Sequence, residues 1–342
     1  MVEFIKDVSF TKYFKLYFCE NSQFMEPKIL IIGACGQIGS ELTLSLREKH
    51  GAEQVIACDI REGSVNLMQS GPFEILDATD YDALEDLVLH YDVGEVYLMA
   101  AMLSGTAEKF PMKAWNLNMN TLFNVLNLAK EEKLSKIFWP SSIAVFGPST
   151  PKENTQQQTI MEPSTVYGIS KQTGERWCEY YHKRYGVDVR SIRYPGLISY
   201  KTQPGGGTTD YAIEIFHDAI QKKKYTCFLS ENTALPMMYM EDAINATISI
   251  MNAPSDSISV RSAYNLGGIS FTPKEIASEI KKHIPSFSIS YEPDFRQAIA
   301  DSWPSSINDD FAQKDWNWKH TFQLEVITVE MLKGLEDELK VN

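Results

Sequence analysis

The sequence lacks long apolar runs and an excess of positive charge, and each absence excludes a class of protein. Its longest apolar run, residues 96–103, has the length of a buried strand, whereas a membrane-spanning helix needs about twenty residues. The formal net charge of −13 argues against nucleic-acid phosphates and anionic membranes as partners. With 342 residues, 44% of them hydrophobic, the chain can form a sizeable core in one large domain or two.

Cysteine and histidine are sparse and scattered, which argues against a disulfide framework and against a zinc site. The five cysteines include no Cys-x-x-Cys pair, and the six histidines include no His-x-x-x-His pair. Cys35 lies inside a glycine motif, where we interpret it as a small packing residue rather than a reactive thiol. We therefore expect no metal site and a reducing, cytoplasmic location.

Residues 1–24 mix charged and aromatic side chains, which interrupts the apolar stretch that a secretory signal needs. Three explanations stay open: a short accessory segment, an organelle presequence or an upstream start codon. Met25 immediately precedes the first clear strand, so we treat residues 1–24 as an N-terminal extension of unknown role.

From residue 28 onward, short apolar runs alternate with helical stretches, a pattern typical of βαβ units on a parallel sheet. We predict an α/β fold with a doubly wound parallel (Rossmann) sheet and a smaller, interleaved C-terminal substrate lobe. The predicted cofactor domain covers residues 25–195 with a return segment at about 237–268, and the predicted lobe covers residues 196–342. The predicted strands cover residues 29–32, 54–58, 73–75, 95–99, 136–139, 189–193 and 263–266. The predicted helices cover residues 38–49, 80–91, 114–132, 171–185, 210–221, 241–251 and 273–283.

Three glycines, Gly33, Gly36 and Gly39, follow the first predicted strand with the spacing Gly-x-x-Gly-x-x-Gly. Glycine suits a tight turn that approaches a pyrophosphate, and the following helix start offers free N–H groups to phosphates. A purely structural turn is the alternative. Asp59, at the end of the second predicted strand, favours a dinucleotide site, because a carboxylate there binds ribose hydroxyls and repels a 2′-phosphate. We therefore predict NAD as the cofactor, with Arg61 close enough to weaken the preference over NADP.

Asp77 follows the third predicted strand and is a candidate for contact with the adenine edge. It is nearly as well placed to interact with the start of a helix, beside Asp80. The sequence leaves both interpretations open.

Tyr167 and Lys171 lie four residues apart next to a helical stretch, so both side chains leave the same helix face. A phenol with its usual pKa of about 10 is a poor base, and a fixed neighbouring cation favours the phenolate. Ser142 follows the fifth predicted strand, at the edge where such sheets bind ligands. Serines after strands are usually turn residues, but here Ser142 can hold an alcohol oxygen while Tyr167 takes its proton.

A loop of three glycines, residues 205–207, precedes Thr208 and Thr209. Glycine leaves backbone N–H groups unobstructed, so we expect this loop to receive a carboxylate and to close over a substrate. A flexible surface linker is the alternative. Trp303 is a candidate to cap the same pocket, whereas Trp316 and Trp318 look like core residues.

The glycine turn, the Ser-Ser-x-x-Val-Phe-Gly run from Ser141 and the Tyr167-x-x-x-Lys171 pair together resemble the extended short-chain dehydrogenases/reductases. Within that group the chain is similar to the short-chain L-threonine 3-dehydrogenases, which are related in fold to UDP-galactose 4-epimerase. The resemblance covers residues 28 to about 333. The stretches behind the closer match are residues 33–39, 102–104, 139–147, 161–171, 194–197, 205–210 and 301–304.

The resemblance implies a role for each matching position, with Ser142, Tyr167 and Lys171 as the catalytic residues. Asn118 would hold the helix geometry and a water near the lysine, although it also fits as an ordinary polar helix residue. The implied substrate-binding residues are Ser104, Ser142, Tyr167, Gly207, Thr208, Thr209 and Trp303. The implied cofactor-binding residues are Gly33, Gly36, Gln37, Ile38, Gly39, Asp59, Asp77, Ala100, Asn118, Tyr167, Lys171, Tyr194 and Leu197.

The activity implied by the resemblance is NAD-dependent oxidation of the 3-hydroxyl of L-threonine to 2-amino-3-oxobutanoate, toward glycine or aminoacetone. A homodimer through the helices at residues 114–132 and 171–185 is implied in the same way. The main alternative is a nucleotide-sugar epimerase or dehydratase, which needs a basic groove for a diphosphate, whereas residues 208–210 are acidic and hydroxyl-rich. A non-catalytic NAD sensor and a metal-dependent threonine dehydrogenase are weaker alternatives.

Overall fold

The computed structural model describes residues 27–201 and 205–341, so the predicted N-terminal extension at residues 1–24 lies outside the described residues. No helix within these two ranges has the length and apolar character needed to span a bilayer. The first half of the chain forms a parallel sheet flanked by helices, and the second half completes the site at one edge of that sheet.

The central sheet is parallel and doubly wound. Strands β1 (Lys28–Ile32), β2 (Val55–Asp59), β3 (Phe73–Ile75), β4 (Val93–Leu98), β5 (Lys136–Phe138), β6 (Ser141–Ser142) and β7 (Val189–Arg190) follow one another along the chain. All except β6 form a six-stranded sheet in the order β3-β2-β1-β4-β5-β7, with parallel pairing throughout. The strand order reverses between β1 and β4, where sheets of this kind bind ligands. The predicted α/β fold class is confirmed.

Helices cover both faces of this sheet. They are α1 (Gln37–His50), α2 (Val65–Gln69), α3 (Tyr81–Tyr91), α4 (Ser104–Lys109), α5 (Pro111–Lys130) and α6 (Val166–Tyr185). Alternate residues of β1 enter two different hydrophobic cores, because successive side chains of a strand point to opposite faces. Leu42 of α1 belongs to one core, and Leu84 of α3 and Leu122 of α5 belong to the other.

The second half of the chain adds shorter strands and the remaining helices. The strands are β8 (Ile192–Tyr194), β9 (Gly196–Ile198), β10 (Lys224–Cys227), β11 (Leu235–Tyr239), β12 (Tyr264–Asn265), β13 (Ile269–Phe271) and β14 (Ser288–Tyr291). The helices are α7 (Tyr211–Lys222), α8 (Met240–Asn252), α9 (Pro273–His283), α10 (Arg296–Ser302), α11 (Asp310–Trp316) and α12 (Leu324–Val341). A 3₁₀ turn at Ser255–Ser257 lies in this half, and two others, at Ala52–Gln54 and Ile143–Val145, lie in the first half.

Together with β6, these strands form smaller sheets that are separate from the central one. Strand β8 follows β7 after the single residue Ser191 and pairs in parallel with both β6 and β12. Strand β11 pairs in parallel with β9 and antiparallel with β13, and β10 pairs with β14. A third core packs side chains of α7, β11, α9 and α12 against the 3₁₀ turn that follows β6. Trp316 and Trp318 are buried, as predicted.

Two elements near the site differ from the predicted boundaries. Helix α6 begins at Val166 rather than at residue 171, because the hydroxyl of Thr165 accepts the N–H of Gly168 at 3.1 Å and caps the helix. Tyr167 therefore lies in the first turn of the same helix as Lys171. Helix α4 was not predicted, and its first residue is Ser104.

Candidate functional site

Two cavities of about 220 Å³ each lie at the carboxyl edge of the sheet and share Gly36, Met99 and Ala101 among their lining residues. The first cavity lies at the ends of β1, β2 and β4. The second lies between the start of α1, the start of α6 and the segments after β6 and β8. Every predicted site residue except Asn118 lines one of the two: Gly33, Gly36, Asp59, Asp77 and Ala100 the first, and Gly36, Gln37, Ile38, Gly39, Ser104, Ser142, Tyr167, Lys171, Tyr194, Leu197, Gly207, Thr208, Thr209 and Trp303 the second.

The glycine turn is packed too closely for a side chain at its first position. A Cβ on Gly33, whose φ is +87°, would lie 2.5 Å from the backbone nitrogen of Ala100. Gly36 caps α1 without any side-chain hydrogen bond, so the first N–H groups of the helix stay available to a ligand. The buried side-chain nitrogen of Gln37 has no partner among the described residues, which suits a donor to phosphate.

Asp59 lies at the end of β2 and contacts the glycine turn. Its Oδ2 accepts the N–H of Cys35 at 2.9 Å, and its Oδ1 accepts the N–H of Ile60 at 2.8 Å. Arg61 lines the same cavity and donates to the carbonyl of Cys35 at 3.5 Å. The cavity therefore offers a carboxylate beside the turn, as a ribose requires, with one guanidinium close by.

Asp77 lines the first cavity and does not cap the following helix. Its Oδ1 accepts the hydroxyl and the N–H of Thr79 at 2.7 and 2.9 Å, and these hydrogen bonds lower the pKa of Asp77. Asp80 caps α3 instead, by accepting the N–H of Ala83 at 3.1 Å. This arrangement supports the adenine-edge interpretation of Asp77.

The side chains of Ser142, Tyr167 and Lys171 meet in the second cavity. Lys171 is buried; its Nζ donates to the carbonyl of Pro140 at 2.5 Å and lies 4.5 Å from the ring centre of Trp139. The same nitrogen lies 5.5 Å from the ring centre of Tyr167. The hydroxyl of Tyr167 is hydrogen-bonded to Ser142. A phenol, a hydroxyl and an ammonium therefore surround one small volume.

Burial dominates the protonation of this group. It raises the pKa of Tyr167 to about 12, against the effect of the hydrogen bond to Ser142. It lowers the pKa of Lys171 to about 7, against the negative charge of Glu175. The expected depression of the Tyr167 pKa by Lys171 does not appear, because the ammonium donates to Pro140 instead. Between these two pKa values the pair holds one proton, and the phenolate forms when that proton is on Lys171.

We expect activity to rise as the pH is raised through about 7. Below this pH both Tyr167 and Lys171 are protonated, whereas above it the pair has lost one proton and includes the phenolate–ammonium form. The value of kcat/KM should increase about tenfold per pH unit on the acidic side and then level off. In Lys171→Met the rising limb should move toward the raised pKa of Tyr167. An unchanged pH profile in this variant would contradict the shared-proton interpretation.

Asn118 lies outside both cavities and connects two helices next to the site. Its Oδ1 accepts the N–H of Met102 at 2.8 Å, and its Nδ2 donates to Ser170 Oγ at 3.2 Å. Ser170 immediately precedes Lys171 in α6. Asn118 therefore joins α5, the segment after β4 and α6, in keeping with the predicted role in helix geometry.

The glycine loop differs from its prediction. The N–H groups of Gly206 and Gly207 are not unobstructed, because both donate to Oδ2 of Asp210 at 2.8 Å. The side chain of Asp210 thus folds back onto the loop from the start of α7. Thr208 is buried and lines the second cavity together with Trp303.

The structure also shows a buried polar group that the sequence reasoning missed. Glu175 lies one helical turn after Lys171 and contacts Ser141 and Arg193. Its position four residues after Lys171 places it on the same face of α6, and that periodicity is a usable signal. Nothing in the local sequence identifies Arg193 as its partner.

A family model for the NAD dependent epimerase/dehydratase family matches residues 29–267. An uncharacterised epimerase/dehydratase of Staphylococcus haemolyticus is 48% identical over 313 residues, which is 91% of this chain and 98% of the relative. The matched region contains the glycine turn, Ser142 at the end of β6 and the Tyr–Lys pair.

Solved structures extend these comparisons. A partial consensus L-threonine 3-dehydrogenase is 58% identical with a TM-score of 0.89, covering 91% of this chain and all of the other (100%). The holo form of a GalE-like L-threonine dehydrogenase from Cupriavidus necator is 56% identical with a TM-score of 0.88, covering 90% and 100%. An L-threonine 3-dehydrogenase from a metagenome, described as monomeric, is 48% identical with a TM-score of 0.87, covering 91% and 99%. The chain therefore belongs to the NAD-dependent epimerase/dehydratase family and is an NAD-dependent oxidoreductase with a Rossmann fold.

Proposed function

We propose that this protein is an L-threonine 3-dehydrogenase. The observation that carries the proposal is the second cavity, where Ser142, Tyr167 and Lys171 meet beside Thr208 and Asp210. A cavity of about 220 Å³ suits a small amino acid. The hydroxyls and the carboxylate provide partners for a zwitterion. The two solved structures described above that are more than 50% identical to this chain are both L-threonine dehydrogenases, which supports the same substrate.

NAD, when bound, supplies the acceptor for the hydride that leaves C3 of the substrate. Tyr167, as the phenolate, takes the proton of the 3-hydroxyl. Lys171, one helical turn later, stabilises the negative charge of that phenolate. Ser142 holds the substrate oxygen in line with the phenol. Loss of one hydride and one proton converts the alcohol to the ketone of 2-amino-3-oxobutanoate, which then leads toward glycine or aminoacetone.

The remaining proposed contacts divide between the two cavities. The glycine turn holds the pyrophosphate, Asp59 the ribose hydroxyls and Asp77 the adenine edge. Gly207, Thr208, Thr209, Ser104 and Trp303 surround the amino acid. In this proposal residues 25–195, with the return segment at about 237–268, bind the cofactor, and residues 196–342 contribute most of the substrate contacts.

A nucleotide-sugar epimerase or dehydratase is disfavoured by the charges of the second cavity. Away from a helix start such as the glycine turn, a second diphosphate would call for cationic side chains as partners. Of the described residues that line this cavity, Lys171 is the only cation and Asp210 the only carboxylate. Lys171 already donates to Pro140, so little positive charge is left for a sugar nucleotide.

The decisive test is incubation of purified protein with NAD and L-threonine, with the formation of NADH followed by its absorbance. We expect NADH with L-threonine, continued activity in EDTA, and much slower reduction with L-serine, which lacks the methyl group. L-allo-threonine, which differs only in configuration at C3, is the control for the placement of the hydroxyl. Turnover of UDP-galactose or UDP-glucose without turnover of threonine would refute the proposed substrate.

We also propose a homodimer through α5 and α6. The rings of Trp177 and Tyr180 lie on α6 with 38% and 47% of their surface exposed, and Trp177 packs edge-on against Phe123 of α5 at 5.0 Å. A contiguous patch of exposed aromatic rings is typical of a protein–protein contact. The monomeric metagenome enzyme shows that this assembly needs its own test.

Replacing Trp177 by Glu should convert a dimer to a monomer in light scattering at micromolar concentration. A central aromatic residue contributes about 2 kcal/mol or more to an interface, or roughly a 30-fold change in Kd, and a buried charge adds to the loss. Phe295→Glu is the matched control, since Phe295 is 67% exposed and lies at the start of α10 rather than on α5 or α6. Equal masses for wild type and Trp177→Glu would exclude this surface.

A further inference from the structure

A buried group of charged and polar side chains lies behind the catalytic residues. Arg193 Nε donates to Glu175 Oε1 at 2.8 Å, and Arg193 Nη2 donates to Glu175 Oε2 at 2.7 Å. Glu175 is 0% exposed and Arg193 is 1% exposed. Ser141 Oγ donates to Glu175 Oε1 at 2.6 Å. We call Ser141, Glu175 and Arg193 the buried brace.

The far end of the brace is anchored on two other segments. Arg193 Nη1 donates to Asn265 Oδ1 at 2.9 Å and to the carbonyl of Gln157 at 3.2 Å. Asn265 Nδ2 donates to the carbonyls of Thr155 and Asn308 at 3.1 and 3.2 Å. The guanidinium is therefore held on both sides and has little freedom to reorient.

The brace joins the three elements that carry the catalytic cavity, namely β6, α6 and β8. Movement of any one of these elements would break a short, buried hydrogen bond to another. Ser141 lines the cavity itself, beside Ser142. Glu175 lies one helical turn after Lys171, and Arg193 lies beside Tyr194.

Stability alone gives a weak reason to bury such a pair. Taking both ions out of water costs several kcal/mol for each, and apolar replacements of a buried pair are often neutral or stabilising. The ion pair instead fixes the orientation of the Glu175 side chain, because a guanidinium fork holds a carboxylate in one orientation. Oε1 of Glu175 is thereby directed at Ser141.

We propose that Glu175 is a positioning residue for the reaction of Ser142, Tyr167 and Lys171, an inference that rests on the proposed function. Through Ser141 it fixes the position of Ser142, and through its own helix it fixes that position relative to Lys171. A misplacement of about 1 Å can lower a catalytic rate by about 100-fold. Glu175 does not line the cavity, so it governs the rate without touching the substrate.

The test is a double-mutant cycle with Ser141→Ala and Glu175→Gln, assayed on the full chain with NAD and L-threonine. We expect kcat to fall about 10- to 100-fold in each single variant, with both KM values within about threefold of wild type. The double variant should be no slower than Glu175→Gln alone, because the two residues act in series. The proposal would be overturned if the decrease of kcat in the double variant equalled the product of the two single decreases. An unchanged kcat in Ser141→Ala would overturn it as well. Ser141→Ala keeps the ion pair, so its result does not depend on tolerance of an unpaired charge.

Asp188→Asn is the matched control for loss of a carboxylate–guanidinium pair. Asp188 binds Arg190 at 2.8 Å at the start of β7, the end of the strand away from the site. This variant should lose thermal stability while kcat stays within about twofold of wild type. If kcat fell equally in Asp188→Asn and Glu175→Gln, the decrease would be explained by lost stability, and the positioning role would be overturned.

A failure of the proposed function gives a different result. If wild-type protein forms no NADH with L-threonine, the proposed substrate is refuted. The positioning role of the brace is then tested by crystallography. Crystal structures of wild type and Ser141→Ala should then differ by about 1 Å in the position of Ser142 Oγ relative to Lys171 Nζ. Superposable positions of these two atoms would overturn the brace.

Discussion

Replacing Tyr167 by Phe is expected to lower kcat about 10²- to 10⁴-fold, the usual contribution of a general base. The phenol is half-buried at the start of α6 and is hydrogen-bonded to Ser142. Phe keeps the ring, and with it the packing against the third core and the contact with Lys171. Only the group that accepts the proton is removed, so the dissociation constant of NAD, measured by calorimetry, should change less than about threefold.

Tyr181→Phe is the matched control for the Tyr167 variant. Tyr181 lies on the same helix, and its hydroxyl donates to Asn127 at 2.8 Å, away from both cavities. This variant also loses one hydrogen-bonded hydroxyl from α6, so it should lose some stability but keep its kcat. If Tyr167→Phe retained a tenth or more of the wild-type kcat, another group would have to be the base.

Replacing Gly39 by Ala should abolish useful binding of NAD and lower the melting temperature. A Cβ at this position would lie 2.2 Å from the carbonyl oxygen of Gly33 and 3.0 Å from Cα of Ala34. Both neighbours are backbone atoms of the turn, so the turn itself must shift and its N–H groups move from the phosphate position. We expect Kd for NAD to rise about 100-fold or more, a loss of roughly 3 kcal/mol of binding.

Gly36→Ala separates crowding of the ligand from distortion of the turn. Its Cβ would lie 3.3 Å from Gly33 O, and its φ of −77° is open to any residue. This variant should therefore keep the wild-type melting temperature, but the methyl group would enter the space that both cavities share. Wild-type Kd and melting temperature in Gly39→Ala would show that the turn adapts, contrary to the predicted geometry.

The fold was largely predictable because its cofactor half consists of local patterns. Apolar strands, helical periodicity and the spacing of Gly33, Gly36 and Gly39 are patterns that each extend over about thirty residues or fewer. The second half was harder, since strands such as β9 and β12 have two or three residues and gain stability only from partners far away in sequence. The start of α6 was misplaced because its cap, Thr165, precedes the stretch that carries the helical pattern.

The site divides in the same way. Asp59, Tyr167 and Lys171 follow from motif geometry, whereas Ser104 follows only from the family resemblance, because its own neighbourhood carries no chemical signal. The pairing of Glu175 with Arg193 is a tertiary fact that strand order creates. The protonation of the site was the hardest property to predict, because the Tyr167 pKa depends on burial, which cannot be deduced from the spacing of residues.

The carboxylate of Asp210 on the glycine loop has a consequence for selectivity. Because Oδ2 of Asp210 already satisfies the N–H groups of Gly206 and Gly207, an incoming carboxylate would exchange one anion for another instead of gaining two new hydrogen bonds. The loop thus holds an internal competitor at high effective concentration. Simple anions would compete poorly for such a loop, and discrimination among amino acids would come from the groups that contact the side chain and its hydroxyl.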